Sequence, residues 1–240
     1  MNNPSHQPTQ TTSVPESYDG YSKYGVLESA HYEQQRDSEV VWCLENSFIK
    51  KYFSLQTAAR VLDAPVGTGR FLSYYPMEAH IIGLDISEHM LKQALKKVAA
   101  LNRERVELTQ GDIFNLIYGD KFFDTVICWR LLHLLPEANL VPLMTELKRV
   151  CSGRIIVQTY LQGPRLKRLL SRIARGVGRA LRVIDAVRPT ERITTYIHSR
   201  PQIERAFAEA GLDVQESTRL GYYFGHEVHV YVLEQQNRAV

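Results

Sequence analysis

Two hydrophobic rhythms alternate along the 240-residue chain. Short apolar runs bounded by turn residues predict strands; apolar residues recurring every three or four positions predict helices. From residue 16 to 53 the pattern is helical, and Val41, Leu44, Phe48, Ile49 and Phe53 share one face of its second half. Residues 59–64 then read as a strand, 68–75 begin a helix, and 80–85 form a second strand. Ser87 can cap a helix over 88–101. Residues 105–110, 122–128 and 153–159 are further strands, with a helix opened by Pro136 and running to about 150 between the last two. Residues 200–210 are helical up to Gly211. Strands at 212–220 and 227–233 follow, joined by a short glycine-containing turn.

Repeated strand–helix units argue for an α/β fold, a parallel sheet with helices on both faces. The last two strands suggest an antiparallel hairpin at its edge. No internal repeat is visible. Residues 1–15, polar and rich in Asn, Gln, Thr and Pro, read as a disordered tail without the apolar stretch of a signal peptide. Residues 16–240 then form one domain, with an N-terminal helical cap over 16–57 and a helical insertion over 161–198 that could act as a lid.

Composition narrows the class. Hydrophobic residues make up 44% and charged residues 23%, enough to bury a core of ordinary size. No apolar run approaches the roughly 20 residues of a membrane span. Cys43, Cys128 and Cys151 lie far apart, which is neither a disulfide framework nor a metal-ligand spacing, and a reducing cytoplasm fits best. His226 and His229, three apart, fall on opposite faces of a strand and would not share a metal.

Charge is uneven. The chain carries +3 overall, but 165–188 carries eight basic residues against Asp185, leaving the remainder at −4. A general nucleic-acid binder would spread its basic residues more widely, so that partner is disfavoured. Within 164–184, Leu166, Leu169, Leu170, Ile173, Val177, Leu181 and Ile184 recur at helical spacing, interleaved with arginines. This amphipathic helix could touch a membrane surface or an anionic ligand. It could equally be a substrate lid, and Gly176 and Gly178 weaken its middle.

The chemistry-bearing residues gather at strand ends. Gly67-Thr-Gly69 follows the first strand, where glycine lets the backbone turn tightly and approach a ligand. Alone, this is equally a plain strand–helix turn. Asp85 ends the second strand, where a carboxylate can accept hydrogen bonds from ribose hydroxyls. Asp112 ends the third; it could accept from an adenine amino group or serve as a turn residue.

In combination these segments resemble class I S-adenosylmethionine-dependent methyltransferases of the small-molecule branch. Residues 61–70, Val-Leu-Asp-Ala-Pro-Val-Gly-Thr-Gly-Arg, look like that family's first motif, with Pro65 and Val66 departing from it. Residues 82–91 are similar to its ribose-binding segment, 110–113 to its adenine-binding turn, and 123–136 to its fourth-strand motif. The resemblance covers about 16–159 and the closing strands. It implies a Rossmann-like, seven-stranded, mostly parallel sheet with S-adenosyl-L-methionine at the carboxyl ends of its strands. Gly67 and Gly69, with Ala64 and Pro65 in the same loop, would face the methionine part, Asp63 its ammonium and Asp85 the ribose. Ile86 and Met90 would pack on the adenine, with Asp112 and Ile113 at its edge. Cys128 and Trp129 would border the sulfonium.

Two rivals fit less well. A nicotinamide-binding fold would want a third glycine where Leu72 stands. Nucleic-acid amino-methyltransferases carry an Asn/Asp-Pro-Pro-aromatic motif where this chain has Cys128-Trp-Arg-Leu.

For the reaction, His133 is the leading general base, with a packed structural histidine as the alternative. Arg130 could bind an acidic group of the substrate or the cofactor carboxylate, or form a structural ion pair; Arg36 is another candidate for that carboxylate. Tyr21, Tyr24, Tyr32 and Tyr160 are candidate substrate contacts. The expected activity is methyl transfer to an oxygen, nitrogen or carbon atom of a small molecule. The alternatives are a cofactor-binding regulatory protein, or a membrane-surface enzyme acting on a lipid or quinone-like substrate. No metal is expected.

Overall fold

The computed structural model describes residues 40–164 and 195–236, with Lys167 and Leu169. The tail, the first part of the helical cap, Tyr21, Tyr24, Tyr32, Arg36 and most of the basic helix lie outside the described residues. Seven strands form one sheet in the order β3-β2-β1-β4-β5-β7-β6. They are β1 Arg60–Asp63, β2 His80–Asp85, β3 Val106–Gln110, β4 Phe123–Cys128, β5 Cys151–Leu161, β6 Leu212–Tyr223 and β7 His226–Gln235. β1 to β5 are mutually parallel. β7 runs antiparallel to β5 and to β6, so the terminal hairpin inserts its second strand inside its first.

Helices cover both faces. α1 (Val40–Leu55) buries Ile49 and Phe53 against one face beside α2 (Glu88–Leu101). α2 begins at Ser87, whose hydroxyl accepts from the Met90 amide, and ends at Asn102 in a left-handed conformation, one of the few residue types that adopt it readily. α3 (Leu140–Val150) turns Leu140, Leu143, Met144, Leu147 and Val150 to the other face, the spacing of a single apolar stripe. α4 (Arg200–Glu209) joins it there through Ile203 and Phe207, behind a capping box of Ser199 and Gln202. Among the described residues, no helix is long and apolar enough to cross a membrane.

Two sequence expectations need correction. Residues 68–75 form a chain of turns, not a helix. Their hydrogen bonds run i to i+3, from Gly69 N to Val66 O, Leu72 N to Gly69 O and Tyr74 N to Phe71 O. Gly69 sits at φ +76°, outside helical space, and Pro76 bars continuation. Buried Arg103 donates to the carbonyls of Leu72, Tyr75 and Pro76 and so satisfies the end of the turn chain. Pro136 does not open the next helix directly; short 3₁₀ turns at Leu132–Leu134 and Glu137–Asn139 precede α3.

Candidate functional site

The loop after β1 is strapped across the sheet at the carboxyl ends of its central strands. The Ala64 amide donates to the Ile127 carbonyl, and the Val66 amide to that of Leu84. The Ala64–Pro65 peptide is cis. The Gly67 amide donates to Asp85 Oδ2 at 2.8 Å, and Ser87 N donates to Oδ1 of the same carboxylate at 2.9 Å. Asp85 is thus fixed in direction at the cleft it lines.

The two glycines of the loop do different work. Both have positive φ, +56° at Gly67 and +76° at Gly69. A side chain on Gly67 would meet nothing within 4 Å, whereas one on Gly69 would run into Leu72 and into Ala94 of α2. Gly67 therefore leaves open space over the loop, and Gly69 lets α2 pack closely.

Asp63 is 1% exposed and accepts from the Tyr75 hydroxyl at 2.7 Å. Burial, reinforced by the neighbouring Asp85 charge, pushes its carboxyl up to about 7, against the opposing Tyr75 hydrogen bond and the Arg70 charge. A cation placed beside it would be favoured, because it would relieve that penalty.

These groups line one cleft of about 900 Å³, open mouth included, within the size range of small-molecule sites. Leu84, Ile86, Met90, Ile113, Leu131 and Leu134 make an apolar slot beside Gly111 and Asp112. Asp112 also plays its turn role, accepting from the Phe114 amide.

α1 closes the other side. Its Glu45, with no exposed surface, takes both Arg70 and Arg130, each at 2.8 Å. Trp42 lies against both guanidiniums, 3.4 Å from Arg70 and 5.1 Å from Arg130. Arg70 also donates to Asn46 Oδ1 and the Trp42 carbonyl. Glu45 thus bridges two cations that both line the cleft. Arg130 holds an uncommon φ of +55°, and its amide donates to buried Gln158.

Of the residues singled out in the sequence, Asp63, Pro65, Gly67, Asp85, Ile86, Met90, Asp112, Ile113, Trp129 and Arg130 come together around this cleft. Ala64, Gly69, Cys128, His133 and Tyr160 do not line it. Ala64 and Cys128 point into the core, where burial raises the Cys128 thiol far above its ordinary range. His133 stacks edgewise on Tyr160, ring centres 4.6 Å apart, and its carbonyl accepts from the Tyr196 amide. Trp42, Glu45, Arg70, Phe71 and Gln158 were not singled out. Arg70 directly follows the glycine pair; the others carry no local signal.

Residues 61–153 match a family model described as a methyltransferase domain. Phosphatidylethanolamine N-methyltransferase of Cereibacter sphaeroides is 33% identical over 162 residues, which cover 66% of this chain and 72% of that protein. Demethylmenaquinone methyltransferase of Shouchella clausii (strain KSM-K16) is 32% identical over 142 residues; the match spans 57% of each chain, just over half the length of that relative. Magnesium protoporphyrin IX methyltransferase from Synechocystis PCC 6803, solved with bound SAH, superimposes with a TM-score of 0.56 at 18% identity, over 86% of this chain and 84% of that one.

Proposed function

The chain belongs to the S-adenosylmethionine-dependent methyltransferase family, and from that membership we propose that this cleft holds S-adenosylmethionine and serves methyl transfer to an oxygen, nitrogen or carbon atom of a small lipid- or quinone-like acceptor. When bound, the cofactor supplies a methyl carbon on a sulfonium, already activated for in-line displacement. What remains for the protein is to bind, orient and exclude water.

The observation that carries the reading is Asp85. Two backbone amides hold its carboxylate rigid at the end of β2, ready to accept from a ribose diol. The rest of the cleft suits the same ligand. Asp63, held up near 7 by burial, would take the ammonium of the methionine part. Arg70 and Arg130, which line the cleft, would face its carboxylate. Open space over Gly67 would admit the backbone of the ligand, and the slot between Met90, Ile86 and Ile113 would hold a flat aromatic base. Asp112 would sit at its edge.

The acceptor class is supported by two relatives whose names specify phosphatidylethanolamine and demethylmenaquinone. It is also supported by an aromatic row, His133–Tyr160–Tyr223, leading away from the end of β4. His133 and Tyr160 would contact the acceptor rather than the cofactor. An amine acceptor that arrives neutral needs no base there; a phenol or carbon acid would use His133.

The test is turnover with methyl-labelled S-adenosylmethionine against phospholipid and quinone extracts. Label should enter the lipid-soluble fraction, and S-adenosylhomocysteine should accumulate. Label appearing only in water-soluble products would overturn the acceptor class.

A further inference from the structure

The turn between β6 and β7 breaks a local rule. Its two central residues, Phe224 and Gly225, have φ of +47° and +84°, and Tyr223 pairs directly with His226. This two-residue turn calls for Asn, Asp or Gly at its first central position. A phenylalanine there is conformationally strained, and with the residue 50% exposed, about half of its surface stays in contact with water. Such conflicts between sequence and local structure collect at functional positions.

The surroundings give the tip a chemistry. Tyr222, Tyr223 and Phe224 place three aromatic rings in succession, and the Tyr223 and Phe224 rings lie 4.4 Å apart. Lys167 puts its ammonium 3.4 Å from the centre of the Tyr222 ring, and Arg219 donates to the Tyr222 hydroxyl. Leu169 is 54% exposed nearby in sequence. A side chain on Gly163 would collide with the Gly225 carbonyl, so the start of the basic insertion lies directly on the turn. Because β7 starts opposite the end of β5, the tip projects from the same end of the sheet as the cleft.

We infer that the β6–β7 hairpin tip, with Lys167 and Arg219 beside it, docks this protein on an anionic lipid bilayer. Aromatic side chains with polar handles suit the boundary between headgroups and acyl chains. The Lys167 ammonium supplies attraction to anionic headgroups, while Arg219 is shared with Glu227, 3.6 Å away. In the sequence, Lys167 belongs to the basic stretch of 165–188. This placement rests on the reading that the acceptor is lipid-like, since docking here would bring the cleft's end of the sheet to the lipid.

The experiment is vesicle flotation of the full chain, on phosphatidylcholine alone and on phosphatidylcholine mixed with phosphatidylglycerol, at low and high salt. The protein should float with the mixed vesicles at low salt and stay behind with the neutral ones. Phe224→Asn should weaken partitioning about tenfold and Lys167→Gln about fivefold. Phe224→Asn should leave the unfolding midpoint unchanged or higher, because Asn suits the positive φ. Loss of binding would then not be loss of fold. Equal flotation of Phe224→Asn and the parent, equal binding to neutral vesicles, or no flotation would each overturn the inference. So would a dimer by light scattering that Phe224→Asn dissolves, since a second copy would then be the occupant. Cofactor titration without vesicles reports separately on the methyltransferase site.

Discussion

Gly67 and Gly69 are two positions apart and share a left-handed backbone, yet their substitutions should separate cleanly. Gly69→Ala drives a methyl group into Leu72 and Ala94 and should cost at least about 2 kcal/mol of stability, read as a lowered unfolding midpoint. Gly67→Ala meets no protein atom. It should cost only about 1 kcal/mol for the backbone, while weakening cofactor binding about tenfold or more by occupying the ligand's space. Asp63 makes the affinity pH-dependent. Its carboxyl is raised in the folded protein to about 7, so the cost of ionising it is absent below the ordinary carboxylate range near 4. That cost grows between there and about 7, and the ligand-free fold loses stability across this window as pH rises. A cationic ligand reverses the preference. Affinity should therefore fall as pH drops below about 7, approaching about tenfold per unit, and calorimetry on Asp63→Asn should lose that slope. The positions of Asp63, Gly67, Asp85 and Asp112 were legible because strand ends and turn residues are local features. Which glycine borders open space was not, since that depends on where α2 packs.

At the level of elements, α1 is the piece whose role the apolar pattern understated. Its stripe of Ile49 and Phe53 reads as ordinary packing, and they do pack on the sheet. Glu45 and Trp42, on the same helix, close the cleft through Arg70 and Arg130. Their partners lie 25 and 85 residues away in the chain, a distance at which no spacing rule operates. Glu45→Ala would remove the carboxylate that two nearly buried guanidiniums share and should cost about 3–5 kcal/mol. Thermal unfolding should show this, and α1 should become an early site of proteolytic cutting. The misread stretch at 68–75 has a related cause. Phe71, Leu72 and Tyr75 are spaced as in a helix, and all three are buried. Arg103, from beyond α2, satisfies the carbonyls and makes the turn chain stable.

At the scale of the whole molecule, strand and helix alternation was enough to specify the sheet, its two covered faces and the terminal hairpin. The ends of β5, β6 and β7 ran longer than their apolar cores suggested. β6 and β7 extend past the apolar patches into half-exposed positions, where composition carries little signal, whereas β5 ends on buried Tyr160 and Leu161. The assembled molecule gathers three carboxylates and two arginines around a single apolar slot, a charge pattern suited to a ligand that is cationic at one point and anionic at another. Titration calorimetry with S-adenosylmethionine and S-adenosylhomocysteine on the parent and Asp85→Ala tests this most directly. The parent should bind both at one site, and Asp85→Ala should bind at least about 100-fold more weakly, having lost two hydrogen bonds to a charged acceptor. No binding by the parent, or equal binding by Asp85→Ala, would contradict the assignment of the cleft.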